Sequence, residues 1–406
     1  MRSLLRFIEI CVGAAVLLIA SYFLYNTPFK SKYSDLSPEE LKVFTDYLDS
    51  SACDPFRFVS DKFTTHDVVL IGEPHRWKQE VDFVRELIPY LYRNNHVTVV
   101  GWEFGSSDYQ SQVDSIVTAP YFDETAAIRV MRLRLWSWNY QEYLDFFKTI
   151  WELNRSIPDS AEKIRFLQLA SDYDARKLNS PDPNVRLQEA IRSNYDGKMA
   201  DIIEREVLRT GKKALWYSGL HHAFTSFRQP TYLFRVKNGA DSRGGNLLFE
   251  RFPDRVYLIA LHFPALSRWA IVSELTQSDP TYLLPFAGVI DAVYDNYRRP
   301  FAFDNSLSPF GELEDSYSYY SVDRWQPLTL KEFCDGYIIL SSFQEAQAVT
   351  PIQAWVSSQA DLAETKDRMT EETAASVHNQ RDLINMIDGD RLSFINKLHK
   401  LERDGK

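Results

Sequence analysis

Residues 68–75 read Val-Val-Leu-Ile-Gly-Glu-Pro-His, VVLIGEPH. Four branched apolar residues in a row leave no polar face, so the run reads as a strand covered on both sides, the mark of a parallel sheet. Glycine and proline end it, and a carboxylate and an imidazole, Glu73 and His75, stand at the break. Similar runs recur at 97–104 (VTVVGWEF), 165–171 (RFLQLAS), 214–219 (ALWYSG), 255–261 (RVYLIAL) and 337–342 (YIILSS). Helical stretches lie between them, among them 77–93, 139–155 and 184–210, with the length that crossover connections need. The predicted fold is α/β, a mainly parallel central sheet with helices on both faces, extended by an N-terminal membrane helix and a C-terminal helical tail.

The rest of the chain is organised around this body. With 406 residues, 45% hydrophobic and 25% charged, it has the composition of a globular protein with a substantial core, and disordered, collagen-like and coiled-coil classes are excluded. A net charge of −10 argues against nucleic acid as a partner. Residues 10–25, ICVGAAVLLIASYFLY, follow Arg2 and Arg6, so 1–26 reads as a signal anchor or a signal peptide. The absence of a clear small-residue cleavage site favours the uncleaved anchor. The basic flank keeps the N-terminus cytoplasmic and the body facing the periplasm or cell exterior; a cleaved signal would leave the protein secreted. Residues 27–60 read as a polar connector with one short helix, capped by Ser37 ahead of Pro38. The catalytic body is expected over 61–342. Its Pro- and Tyr-rich stretch 286–333 reads equally as a wall over a pocket or as a surface insertion. Residues 343–406 are expected to be helical, with the stripe Leu392, Ile395, Leu398, Leu401 serving a packing helix or a partner helix. Of three cysteines, Cys11 lies in the apolar stretch, so only Cys53 and Cys334 are left to pair; a bridge between them stays open.

In a parallel sheet, ligands bind beyond the carboxyl ends of the strands. Here those ends carry Glu73 and His75, then Glu103, then Asp172 and Asp174, then Gly219, His221 and His222, and finally His262. Each residue alone is more often a helix cap or a satisfied loop residue than a catalyst. Together they bring several titratable groups to one edge, where an imidazole acts as a base or metal ligand and a carboxylate orients it. No GxSxG, HExxH, Walker A or GxGxxG pattern occurs, so serine hydrolases, zincins, P-loop and dinucleotide enzymes lose their signatures. Arg85 and Arg134 are candidate anchors for a substrate carboxylate, with surface ion pairing as the plainer reading of each.

Two GxxH units, Gly72–His75 and Gly219–His222, with Glu103 between them, resemble the superfamily that joins erythromycin esterase-like proteins, ChaN haem-binding proteins and the Tiki/TraB group. Residues 136–154 look like the helix before the third strand in the esterase-like branch. The resemblance covers roughly residues 66–342. It implies an α/β body with a pocket at this edge, and it carries Glu73, His75, Glu103 and His222 over as catalytic residues. His221 and Asp172, from the strand ends, and Arg85 and Arg134, as carboxylate anchors, stand beside them as binding candidates read from the residues alone. The first expectation is a membrane-anchored hydrolase that cleaves a small ester or peptide. In it His75 activates water, directly or as part of a His75, Glu103, His222 ligand set for manganese, cobalt or zinc. The second is a ChaN-type binder of haem or another cofactor without turnover. The third is a non-catalytic scaffold tethered to the membrane. The sequence leaves the oligomeric state open.

Overall fold

The computed structural model describes residues 13–15, 36–51, 54–193, 195–230, 242–268, 282–322 and 324–403. Its centre is a seven-stranded sheet built from β1 (Val68–Glu73), β2 (Val99–Ser106), β3 (Arg165–Ala170), β4 (Ala214–Gly219), β5 (Val256–Leu261), β6 (Phe301–Asp304) and β7 (Gly336–Ile339). The spatial order is β3-β2-β4-β1-β5-β7-β6. Every neighbouring pair is parallel except β6 with β7. The fold is therefore α/β with a mainly parallel sheet, as the apolar runs predict.

The two-residue period of a strand explains how one sheet feeds two cores. Val69 and Ile71 of β1, Leu215 and Tyr217 of β4, and Ile259 and Leu261 of β5 enter one core. There they meet Val84 and Leu87 of helix Lys78–Asn95, Val113 of Gln110–Thr118, and Leu144 and Phe147 of Gln141–Ser156. The alternate residues, Val68, Leu70, Trp216 and Leu258, enter the other core with Met199 and Ile203 of Tyr195–Glu206, Leu248 of Gly244–Arg251 and Ile290 of Val289–Tyr297. Each such side chain contributes about 1.5–3 kcal/mol through burial.

Three details differ from the sequence reading. The stretch 184–210 contains two helices, Pro183–Arg192 and Tyr195–Glu206. The last parallel strand ends at Ile339. Inside the aromatic segment, Phe301–Asp304 forms an antiparallel edge strand, too short for its periodicity to show. The expected connector holds helices Pro38–Ser50, with the predicted Ser37 cap in a reciprocal bond with Glu40, and Pro55–Lys62; Phe44 and Leu48 of the first and Val59 of the second are core residues.

The tail packs back on the body. Helix Gln380–Arg403 places Ile395, Leu398 and Leu401 against Trp77, Leu284 and Phe343, whereas Leu392 of the expected stripe is exposed. Cys334 is a free, buried thiol, its Sγ accepting from Asn305 Nδ2 at 3.2 Å, so it takes no part in the bridge left open above. Cys11 and Cys53 lie outside the described residues, as does the expected membrane helix apart from 13–15. Among the described residues no helix is long and apolar enough to cross a membrane.

Candidate active site

Strands β1 and β4 are neighbours, and their register sets Gly72 opposite Ser218 and Glu73 opposite Gly219. The two GxxH units thus lie side by side, and each glycine makes room for the other unit. A Cβ on Gly72 would stand 2.9 Å from Leu220 Cα; one on Gly219 would stand 2.5 Å from His75 Cε1 and 2.6 Å from its Nε2. After Pro74 the chain turns through two left-handed residues, His75 (φ 72°) and Arg76 (φ 62°). Each costs about 1–3 kcal/mol of backbone strain. The turn sends the imidazole back towards Gly219.

The buried Glu73 carboxylate organises the site. Its Oε1 accepts from Tyr143 Oη at 2.6 Å and from His75 Nδ1 at 2.7 Å, and its Oε2 accepts from Tyr217 Oη. Burial, followed by the charge of Glu73, pushes both tyrosine pKa values well up, so both hydroxyls stay protonated and donating. A carboxylate beside Nδ1 places the imidazole proton there and leaves the Nε2 lone pair free. The edges of Trp138 and Phe104, with ring centroids 5.2 and 5.6 Å away, hold the ring.

The second unit holds two imidazoles of opposite character. His222 Nδ1 lies 2.8 Å from Asp196 Oδ1, and its Nε2 lies 3.9 Å from Glu103 Oε2. Burial opposes its charge, but the carboxylates of Glu103 and Asp196 outweigh burial and raise its pKa above the usual histidine value. Glu103 is fixed by the Gly219 amide, which donates to Oε2 at 2.7 Å. His221 has its Nε2 2.8 Å from Tyr320 Oη. Burial, then the charges of Arg243, His222 and His75, lower its pKa to about 3, which keeps it neutral. Glu73, His75, His221 and His222 line a cleft of about 200 Å³ whose other walls include Phe263, Leu266, Tyr320 and Phe394. Tyr320 belongs to the aromatic segment and Phe394 to the C-terminal helix, so both late segments wall the cleft.

Other expected site residues lie elsewhere. Arg85 pairs along its own helix with Asp82 and Glu86, at 3.1 and 3.5 Å, and does not reach the cleft. Asp172 bonds Arg368 at 2.6 Å in a separate cleft of about 310 Å³; it follows β3, which is the edge strand. Asp174 caps the short helix that follows. His262 is buried between Tyr337, 3.0 Å from Nδ1, and Asp291, 3.1 Å from Nε2. Arg134 is buried with its guanidinium over Tyr173 and Tyr195. The sequence reading missed Tyr143, Tyr217 and Asp196. Tyr217, two residues before Gly219 on the same face of β4, had a usable signal, whereas Asp196 on a helix far along the chain had none.

The ligand set expected for manganese, cobalt or zinc does not assemble. Among the described residues no group of three or more His, Cys, Asp or Glu is placed to hold a metal ion. Within the expected set, His222 Nε2 lies 3.9 Å from Glu103 Oε2, and the Nδ1 atoms of His75 and His222 each face a carboxylate outside it. For haem, His75 Nε2 is the free ligand atom at the cleft.

No protein-family profile matches the chain, and no curated protein is similar to it in sequence. Solved structures are similar to it. An erythromycin esterase mutant in its open conformation is 10% identical, with a TM-score of 0.48 over 73% of this chain and 95% of the other. A Bacillus cereus protein is 10% identical, with a TM-score of 0.43 over 78% and 94%. ChaN of Campylobacter jejuni, solved with cofacially bound haem, is 14% identical, with a TM-score of 0.34 over 51% and 86%. Solved structures similar to this chain thus include an erythromycin esterase and a ChaN haem-binding protein, two of the groups that its motifs resemble.

Proposed function

We propose that the protein is a hydrolase that cleaves an ester or peptide-like bond, with His75 as general base. The observation that carries this reading is the Tyr143/Tyr217–Glu73–His75 chain, which fixes the Nδ1–H tautomer and leaves Nε2 free at the cleft. In the reaction, His75 Nε2 takes a proton from water as its oxygen attacks the carbonyl carbon. His222, whose charged form Glu103 and Asp196 favour against burial, faces the developing oxyanion and gives its Nε2 proton to the leaving group as the bond breaks. Two imidazoles whose surroundings hold them in different roles supply the base and the acid. Residues 1–26 tether this body to a membrane, facing outward; membrane fractionation of the full chain tests that part.

The first test is turnover of p-nitrophenyl butyrate and of a fluorogenic peptide amide by the full chain. Hydrolysis of either supports the reading. No turnover of either, with a Soret band on haem titration, transfers the site to the cofactor-binding alternative.

A further inference from the structure

Arg132 and Arg134 are equally buried on helix Glu124–Arg134, at 3% and 4% exposure, yet their surroundings differ. Arg132 donates to the carboxylates of Asp361 and Glu364 at 2.7 and 2.9 Å and to the Trp355 carbonyl at 2.7 Å. Arg134 has no such partner. Its Nε and Nη1 are buried and meet no acceptor among the described residues. Its guanidinium lies between two tyrosine rings, with Cζ 5.1 Å from the centroids of Tyr173 and of Tyr195. Cation–π contact offsets only part of the cost of taking a guanidinium out of water, and its in-plane donors are left for an oxyanion.

Neither Arg134 nor Tyr195 lines the cleft, but one ring connects the cation to it. The Tyr195 ring lies 4.9 Å from the ring of His222, so the guanidinium is one aromatic ring away from that imidazole. Tyr173, on its other side, walls a polar cleft lined by Asp172, Asp174 and Asp367 as well as Lys177, Arg192 and Arg368, with Arg368 paired to Asp172. A second arginine repeats the arrangement at the other imidazole. Arg76 Nε is buried without an acceptor among the described residues, and its Cζ lies 5.1 Å from Trp138, the ring whose edge meets His75.

We propose that Arg134 binds an anionic group of the substrate, a carboxylate or a phosphate, so that the molecule cleaved at His75 and His222 is an acidic ester. This rests on the hydrolase reading above. A planar guanidinium pairs with either anion through two parallel N–H···O bonds, and the aromatic faces keep it rigid and dry.

The test compares two probes of equal chain length, mono-p-nitrophenyl glutarate, which carries a carboxylate, and the neutral p-nitrophenyl valerate. It is run alongside titration calorimetry of the full chain with glutarate. The expected result is a preference for the anionic ester in kcat/KM, and a ratio of anionic to neutral that falls about 10- to 100-fold in Arg134→Gln, the range of a hydrogen-bonded charge pair. Arg134→Lys recovers part of the ratio, which a merely structural role would not produce. Equal kcat/KM for the two esters, or a ratio unchanged in Arg134→Gln, overturns the proposal. Glutarate binding that Arg134→Gln abolishes, without turnover of either ester, leaves the anion site standing and removes the hydrolase reading. Absence of glutarate binding together with absence of turnover removes both.

Discussion

Gly219→Ala isolates the position of the His75 ring from everything else in the site. Gly219 has φ −56° and ψ 142°, a backbone that alanine adopts without strain, so only space opposes the substitution. The new methyl would lie 2.5 Å from His75 Cε1, 2.6 Å from Nε2 and 3.4 Å from Glu103 Oε2. Ordinary carbon contacts begin near ~3.5 Å, so the imidazole must retreat by about 1 Å. Glu73 and the edges of Trp138 and Phe104 hold the ring, so it retreats by losing its aim at the cleft. A misplacement of that size costs about 100-fold in rate, or about 2.7 kcal/mol in the barrier. The assay is kcat/KM on p-nitrophenyl butyrate, with a thermal melt to verify that the variant is folded. A folded Gly219→Ala protein within threefold of wild type would refute the placement of the base.

Other predictions concern the groups around that base. Tyr143→Phe and Tyr217→Phe each remove a donor to the buried Glu73 carboxylate and are expected to cost about 1.5–3 kcal/mol of stability, read by urea denaturation at neutral pH; no change in either would mean the hydroxyls do not hold Glu73. His222 has its folded pKa raised, so its contribution to stability is complete below the unfolded value of ~6.5 and is lost as pH rises through the folded value. The alkaline limb of kcat/KM should follow the same titration and move to lower pH in Asp196→Asn, and an unmoved limb would assign it to another group. Leu398→Ala empties a fully buried position between the C-terminal helix and the Trp77 cluster; it is expected to cost about 2–5 kcal/mol, and a melt unchanged from wild type would mean the tail is not docked.

Why some of this was legible in the sequence and some was not has a physical basis. Strands β1, β4 and β5 announce themselves because burial on both faces demands unbroken apolar runs. The convergence of Glu73, His75, Glu103 and His222 follows from the rule that strand ends share an edge, once β2, β4 and β1 are adjacent in that order. The same rule misplaces Asp172, because strand order is not encoded locally and β3 lies three strands from β1, about 14 Å at the usual spacing. Arg85 had carboxylates one and three residues away on its own helix, and local pairing won. Tyr143 was hidden because its ring belongs to the core and only its hydroxyl belongs to the site, whereas Tyr217 shares a face of β4 with Gly219 and could have been found from that register.

The most direct measurement is kcat/KM of the full-length His75→Ala protein against wild type on p-nitrophenyl butyrate, with a melt on both. The account predicts a folded variant whose rate falls about 100- to 10,000-fold, the contribution of a positioned general base. A folded variant that retains wild-type activity would contradict it.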